Sequence, residues 1–487
     1  MLSADGASVE PANVLLAGDR IESVGPSLSR PDSAAVIDAR DCLLVPGLVN
    51  SHVHSHNNLS RGLVGEWTLE DFLNHGPALL AARTPDELRV SALLGAVEML
   101  KRGCTTAYDL TTAIPGPTEE AMEAVAEGYA ASGMRVTLAP MMVDLPFLHT
   151  IPGLLDLLPD ELRSSVAALT AAPANELLSM VKGVFERRHG SNGGRMQIAI
   201  APSIPAGCSD EFLVGCVRLQ EELGIGLHTH LDESKVEAVQ GRRRWGMTTT
   251  GRLAEIGALG PRFTAAHAIW LTAEDLDLLG SSGSSIAHNP ASNLRLGNGI
   301  APVREALEAG INLGLGTDGS AASDTLDMYT AMRFAAMVSR IRFPYGQSRW
   351  LGSKEVFKMA TAGGSRLLVS TEIGRLEKGA KADLALIRLD STALAPLNQA
   401  STALVFRDAG TCVRTVLVDG RVVVSDGEVV GVDDRRLRQE AETMAESIRG
   451  RNTNWWQLAA AVTPYLGTAC GGLAATDIGI DRFAARG

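Results

Sequence analysis

Seven of the ten histidines fall in or just beyond four short apolar segments: His52, His54 and His56 in one, His228 and His230 in a second, His267 in a third and His288 in a fourth. Glu233 stands three residues after His230, and Asp318 closes a further segment of the same character. Side chains along a strand alternate between faces, so His52 and His54 point the same way. Two imidazoles converging from one strand suit a borderline divalent ion. A third histidine, from the segment holding His228 and His230, and the Asp318 carboxylate would complete a site of three histidines and one aspartate. Such a site keeps a position open for water, as a catalytic metal centre requires. The bound ion lowers the pKa of that water to about 7. A lone histidine is normally a hydrogen-bonded structural residue, and His75, His149 and His189 are read that way. His56 continues the alternation but lies in the loop beyond, where substrate contact and a plain loop role are equally open.

These side chains need a scaffold that delivers strand ends to one place. Eight apolar stretches read as strands: residues 43–54, 103–109, 135–143, 195–202, 225–230, 263–269, 284–290 and 311–318. Between several of them lie helical patterns at 84–102, 119–132, 210–223, 272–279 and 303–309. Each is followed by a glycine, and the first opens on Thr84-Pro85-Asp86-Glu87, a helix start. Strands alternating with glycine-terminated helices form parallel βαβ units. Eight of them predict a closed (β/α)8 TIM barrel, an α/β fold whose functional residues sit at the C-terminal ends of the strands. The flanks differ. Residues 8–45 and 375–430 hold short strands with Asp419-Gly420 and Asp426-Gly427 turns, a hairpin signal. The expected division is a small β-sandwich domain from both chain ends (1–46 and 371–430), the catalytic barrel (47–370) and a C-terminal helical tail (431–487). The tail is expected to pack on the barrel or on a second subunit.

Composition narrows the function. The 487 residues are 45% hydrophobic and 21% charged, ordinary for a globular chain. The net charge, 44 − 56 = −12, and the lack of any basic run beyond Arg242-Arg243-Arg244 argue against nucleic acid as a partner. Six scattered cysteines without a C-x-x-C pair indicate a reduced, cytoplasmic protein and disfavour thiolate ligation. No secretory signal pattern opens the chain, and no apolar run reaches the ~18 residues of a membrane span.

The sequence resembles the amidohydrolase superfamily, in its cytosine-deaminase-like and chlorohydrolase-like branch. Residues 45–54 (VPGLVNSHVH) are similar to the opening signature, and His230-Leu231-Asp232-Glu233 resembles the fifth-strand His-x-x-Glu. Residues 266–271 (AHAIWL), 287–297 (AHNPASNLRLG) and 316–319 (GTDG) resemble the sixth-, seventh- and eighth-strand segments, and the likeness runs from about residue 15 to 430. The resemblance implies His52, His54, His230 and Asp318 as metal ligands, with His228 the rival on strand five, and Glu233 and His267 as an acid/base pair joined by Asp318. Two-metal relatives carry a lysine on strand four; residues 195–202 have none, which implies one divalent ion, zinc or iron. The implied activity is deamination of an aminated N-heterocycle of purine, pyrimidine, pterin or triazine type. The alternatives are an s-triazine chlorohydrolase or alkylaminohydrolase, a cyclic amide hydrolase, and a metal-free scaffold, which the full ligand set disfavours. Candidate substrate contacts are Asn57, Asn58, Arg61, Trp67 and Phe72 after strand one, Met141, Met142 and Asp144 after strand three, and His288 with Asn289. Nucleoside-specific members carry a different pattern where Ser55-His56-Asn57-Asn58 stands, which points away from a nucleoside. Relatives imply a homodimer or larger homo-oligomer.

Overall fold

The computed structural model describes residues 1–2 and 8–483. Eight parallel strands form the barrel: β1 (Leu48–Val53), β2 (Cys104–Thr111), β3 (Arg135–Met142), β4 (Met196–Ile198), β5 (Leu227–Leu231), β6 (Phe263–His267), β7 (Ser285–His288) and β8 (Asn312–Leu315). β1 to β4 pair in order, as do β5 to β8. Two seams close the ring. The His228 amide donates to the Ile200 carbonyl (2.9 Å), and the Asp318 amide donates to the His52 carbonyl (3.0 Å). The fourth expected strand is broken: beyond β4 a second piece, Ala201–Pro202, pairs with β3.

β1 and β2 are buried at every residue, because helices cover them outside and side chains fill the lumen inside. The helix Pro85–Lys101 begins with Thr84 and Glu87 capping each other's backbone amides, with proline in the first turn. The helix Glu119–Ser132 ends on Gly133 in the left-handed conformation. One expected stop is corrected. The helix Ala273–Ser282 runs through Gly280 and ends on Gly283. A Cβ on Gly280 would lie 2.3 Å from the Ala309 carbonyl oxygen, so this glycine permits close packing instead of terminating the helix.

The expected strand 43–54 is two strands. Cys42–Pro46 is the edge of a five-stranded antiparallel sheet with Leu384–Arg388, Val413–Val418, Arg421–Ser425 and Glu428–Val429. The chain then turns at Gly47, where a Cβ would collide with the Thr105 side chain, and enters the barrel as β1. A two-stranded hairpin, Asn13–Ala17 with Arg20–Gly25, accompanies this sheet. Arg135, at the start of β3, joins it to the barrel. Its guanidinium donates to both oxygens of Asp383 (2.9 and 3.2 Å) and to Asp419.

The last segment folds as two helices, Asp434–Arg451 and Thr453–Ala474. They pack on this chain's own barrel. Arg451 donates to both oxygens of Glu87 (2.8 and 2.7 Å), and Asn452 donates to the carbonyls of Ala78 and Ala81. Among the described residues no helix is long and apolar enough to cross a membrane.

Candidate metal centre and active site

His52 and His54 leave β1 on its inward face, His230 leaves β5, and Asp318 follows β8. The Nε2 atoms of His54 and His230 lie 3.2 Å apart, and Asp318 Oδ1 is 3.1 Å from His54 Nε2 and 3.8 Å from His52 Nε2. All four side chains are buried. His54 Nδ1 bonds the Leu110 carbonyl (2.6 Å) and His230 Nδ1 bonds the Ser203 carbonyl (2.7 Å). A carbonyl only accepts, so each Nδ1 holds its proton and leaves Nε2 facing the centre. Both ring nitrogens of His52 are buried with no partner. Burial, reinforced by the neighbouring imidazoles His54 and His267, pushes His230 down to about 3. Burial and the surrounding histidines likewise hold His52 well below the usual imidazole range. His54 moves up: burial opposes the shift, but its bond to the Asp318 carboxylate outweighs it. Three imidazoles and one carboxylate, with both His52 nitrogens orphaned, form a donor set that fits a divalent cation. His52, His54 and Asp318 bring one donor atom each within 4.8 Å of one another, and so do His52, His230 and His267.

His228 stands one layer deeper. Its ring lies 5.0 Å from that of His52 and meets Tyr108 edge-on at 4.5 Å, and it is absent from these close groups among the described residues.

Glu233 and His267 face each other beside this centre, with Oε2 and Nε2 3.4 Å apart. Asn298 donates to the other Glu233 oxygen (2.8 Å), and His267 Nδ1 bonds Asn293 Oδ1 (2.8 Å). Burial, then the charges of Asp318, Glu237 and Glu70, raises the Glu233 carboxyl well above the usual range, against the Asn298 bond. These surroundings favour the protonated form of the carboxyl. Asp318 moves the other way: burial would raise it, but the His54 bond and the His54 and His267 rings keep it a carboxylate. His267 and Asp318 both adopt φ of +63°. That conformation is uncommon for residues other than glycine and tends to cluster at functional sites.

The candidate substrate contacts separate. Met141 turns into the lumen with Ala139, Tyr108 and Ala201, whereas Met142 packs outward in the main core. The period of two on β3 thus makes Met141 the inward residue of the pair. His288 lines a small cavity with Ile300, Val338, Ser339 and Arg342. Its neighbour Asn289 points inward, next to Gly316 and His52, with both amide atoms unpartnered. Trp67 stacks on His75 (ring centroids 4.1 Å apart) beside Trp456, in a small apolar cluster with Phe72. Arg61 pairs with Glu98 (2.6 Å). The loop after β1 holds itself together. Asn58 donates to the carbonyls of Ser55 and Ser91, and His56 Nδ1 accepts the Thr112 amide. Asp144 accepts from Ser209.

Sequence reasoning missed Asn293, Asn298, Glu70, Glu237 and Asp109. Glu70 accepts from Ser234 Oγ (2.6 Å), Glu237 accepts the Glu233 amide (2.8 Å), and Asp109 accepts the Ser55 amide (2.9 Å). The three asparagines at 289, 293 and 298, closely spaced in a stretch with little charge, were the available signal.

The model of the amidohydrolase family matches residues 43–423. The chain is 31% identical over 447 residues to a 5'-deoxyadenosine deaminase of Methanothermobacter thermautotrophicus, covering 92% of this chain and 97% of the relative. It is 34% identical over 420 residues to a 5-methylthioadenosine/S-adenosylhomocysteine deaminase of Thermococcus onnurineus, covering 86% and 91%. Among solved structures, atrazine chlorohydrolase TrzN from Arthrobacter aurescens TC1, complexed with zinc, superposes with a TM-score of 0.82 at 28% identity, covering 90% of this chain and 96% of that one.

Proposed function

The chain belongs to the amidohydrolase family, and from that premise we propose that it deaminates an aminated N-heterocycle by metal-dependent hydrolysis, with a 6-aminopurine nucleoside as the substrate class. His52, His54, His230 and Asp318 would hold one divalent ion, zinc by its likeness to the chlorohydrolase. When bound, the ion acts as a Lewis acid that brings the pKa of a coordinated water to about 7.

The observation that carries the reading is the buried Glu233 carboxyl facing His267 at 3.4 Å beside the ligand cluster. Glu233 gives its proton to the ring nitrogen next to the attacked carbon, so negative charge does not accumulate there. His267 has its Nδ1 proton committed to Asn293, so Nε2 accepts a hydrogen of the attacking water and aims it. Asp318, kept ionised, accepts the water's proton. That proton then passes to the leaving amine, which departs as ammonia, while the proton left on the new hydroxyl returns to Glu233 as the carbonyl forms.

Two observations support a nucleoside. The relatives compared are nucleoside deaminases along almost their whole length. In addition, Asn58 and His56 spend their hydrogen bonds on holding their own loop, so their departure from a known nucleoside pattern carries no specificity signal. The second reading, a chlorohydrolase, is favoured by the superposition on the atrazine enzyme. The deciding experiment incubates the zinc-loaded protein with 5'-deoxyadenosine, 5-methylthioadenosine and atrazine, and measures ammonia and chloride separately. Ammonia from the nucleosides is expected. Chloride from atrazine alone would install the second reading, and neither product would overturn both. The proposal includes a homo-oligomer, for which exposed Phe334, Met337 and Ile341 on one helix supply an apolar face. It also places the chain in a reducing compartment, consistent with six unpaired cysteines.

A further inference from the structure

The chain's last described residues return to the active-site face. Arg482 is only 7% exposed, and its guanidinium donates to the Ile269 carbonyl (3.0 Å) and to the Leu271 carbonyl. Its own carbonyl accepts the Ile300 amide at 2.6 Å. One residue therefore bridges the segment after β6 and the segment after β7. Those two segments are also tied to each other, because Trp270 Nε1 donates to the Asn298 carbonyl (2.8 Å). Phe483 meets the Trp270 ring edge-on at 5.1 Å. Gly299, at φ +120°, lets the chains approach: a Cβ there would lie 3.0 Å from the Arg482 carbonyl oxygen.

Asn298 is the residue that bonds Glu233 Oε1. A buried guanidinium needs acceptors for its donors, and here two carbonyls on a single segment take its Nε and one terminal nitrogen while the residue's backbone fastens the other segment. We infer that Arg482, which lies outside residues 43–423, is a positioning residue for the proposed reaction: it fixes the 298–300 segment so that Asn298 orients the Glu233 carboxyl toward the substrate ring. This inference rests on Glu233 being the proton donor.

Full-length Arg482→Ala, Arg482→Lys, Asn298→Ala and the Arg482→Ala/Asn298→Ala pair test it by two independent readouts. In hydrogen exchange, Arg482→Ala is expected to speed exchange in residues 296–302 at least tenfold and leave β1 unchanged. In ammonia-release kinetics at constant zinc content, its kcat is expected to fall about tenfold with little change in KM, the scale of a small misplacement. Arg482→Lys should recover part of the loss. The double variant should be no slower than Asn298→Ala alone, since both act through one contact. Unchanged exchange in 296–302, faster exchange throughout the barrel, or additive kcat losses would overturn the inference. If no substrate yields ammonia with the wild type, the role of Glu233 fails, and the exchange arm alone decides whether Arg482 holds the Asn298 segment.

Discussion

The Asp318 amide donates to the His52 carbonyl across 3.0 Å, so the last barrel strand is fastened to the first at the point where each sends a side chain to the centre. Ring closure and ligand assembly are therefore one event. A cation held by His52, His54, His230 and Asp318 would tie β1, β5 and β8 together and would bind only the folded chain.

Removing the ion should therefore lower both activity and stability. Treatment with a zinc chelator is expected to abolish ammonia release and depress Tm, and added zinc should restore both. At a thousandfold excess over Kd the linkage is worth about 4 kcal/mol. A Tm indifferent to zinc would remove the metal centre.

His230 and His228 make opposite predictions. His230 Nε2 meets His54 Nε2 at 3.2 Å, whereas His228 packs on Tyr108. Elemental analysis of purified protein should find most of the zinc lost in His230→Ala and retained in His228→Ala. The reverse pattern would reassign the fifth-strand ligand.

Glu233→Gln keeps the Asn298 contact but cannot deliver a proton. Turnover should drop by at least ~10²-fold with zinc content unchanged. Near-normal kcat would refute the acid role.

Glu237 predicts a pH effect. Burial pushes its carboxyl up to about 8, assisted by Asp232 and Glu70 and opposed by the bond from the Glu233 amide. The folded state thus holds a proton that the unfolded chain releases near 4.5. The stability from this group is complete below about pH 4.5 and is lost as pH rises through about 8. Glu237→Gln mimics the neutral acid. Its Tm should match wild type near pH 4.5 and exceed it at pH 9, by an amount equivalent to a few kcal/mol. Equal Tm values at both pH values would contradict the shift.

Arg135 is buried between two aspartates at the junction of barrel and small sheet. Arg135→Met leaves Asp383 and Asp419 buried and uncompensated. Urea unfolding should show a loss of about 3–5 kcal/mol; a loss under 1 kcal/mol would show that the pair is not coupled to folding.

The barrel was legible because its signals are local: apolar strand runs, the Thr84–Glu87 capping box and left-handed Gly133 and Gly224 are written within a few residues of each element they bound. The errors arose where a distant contact decided. Gly280 sits inside a helix because the Ala309 carbonyl presses on it, and residues 43–54 divide because Cys42–Pro46 finds Leu384–Arg388. In the site, His52, His54, Glu233 and Asp318 stand out by type and spacing. β3 and β7 each offer two adjacent candidates at the strand end, Met141 with Met142 and His288 with Asn289, and only the register distinguishes their faces. Asn298 was missed because an amide's value lies in what it meets, here Glu233 and a segment held by Arg482.

The pairing of Cys42–Pro46 with Leu384–Arg388 also constrains biosynthesis. At ~5–20 residues per second, the ribosome needs about 20 to 70 s to extend from one strand to the other. Throughout that interval the nascent chain carries an apolar edge without its mate. The small sheet can be completed only after the whole barrel has left the exit tunnel, so a truncated translation product would expose that edge to chaperones and proteases.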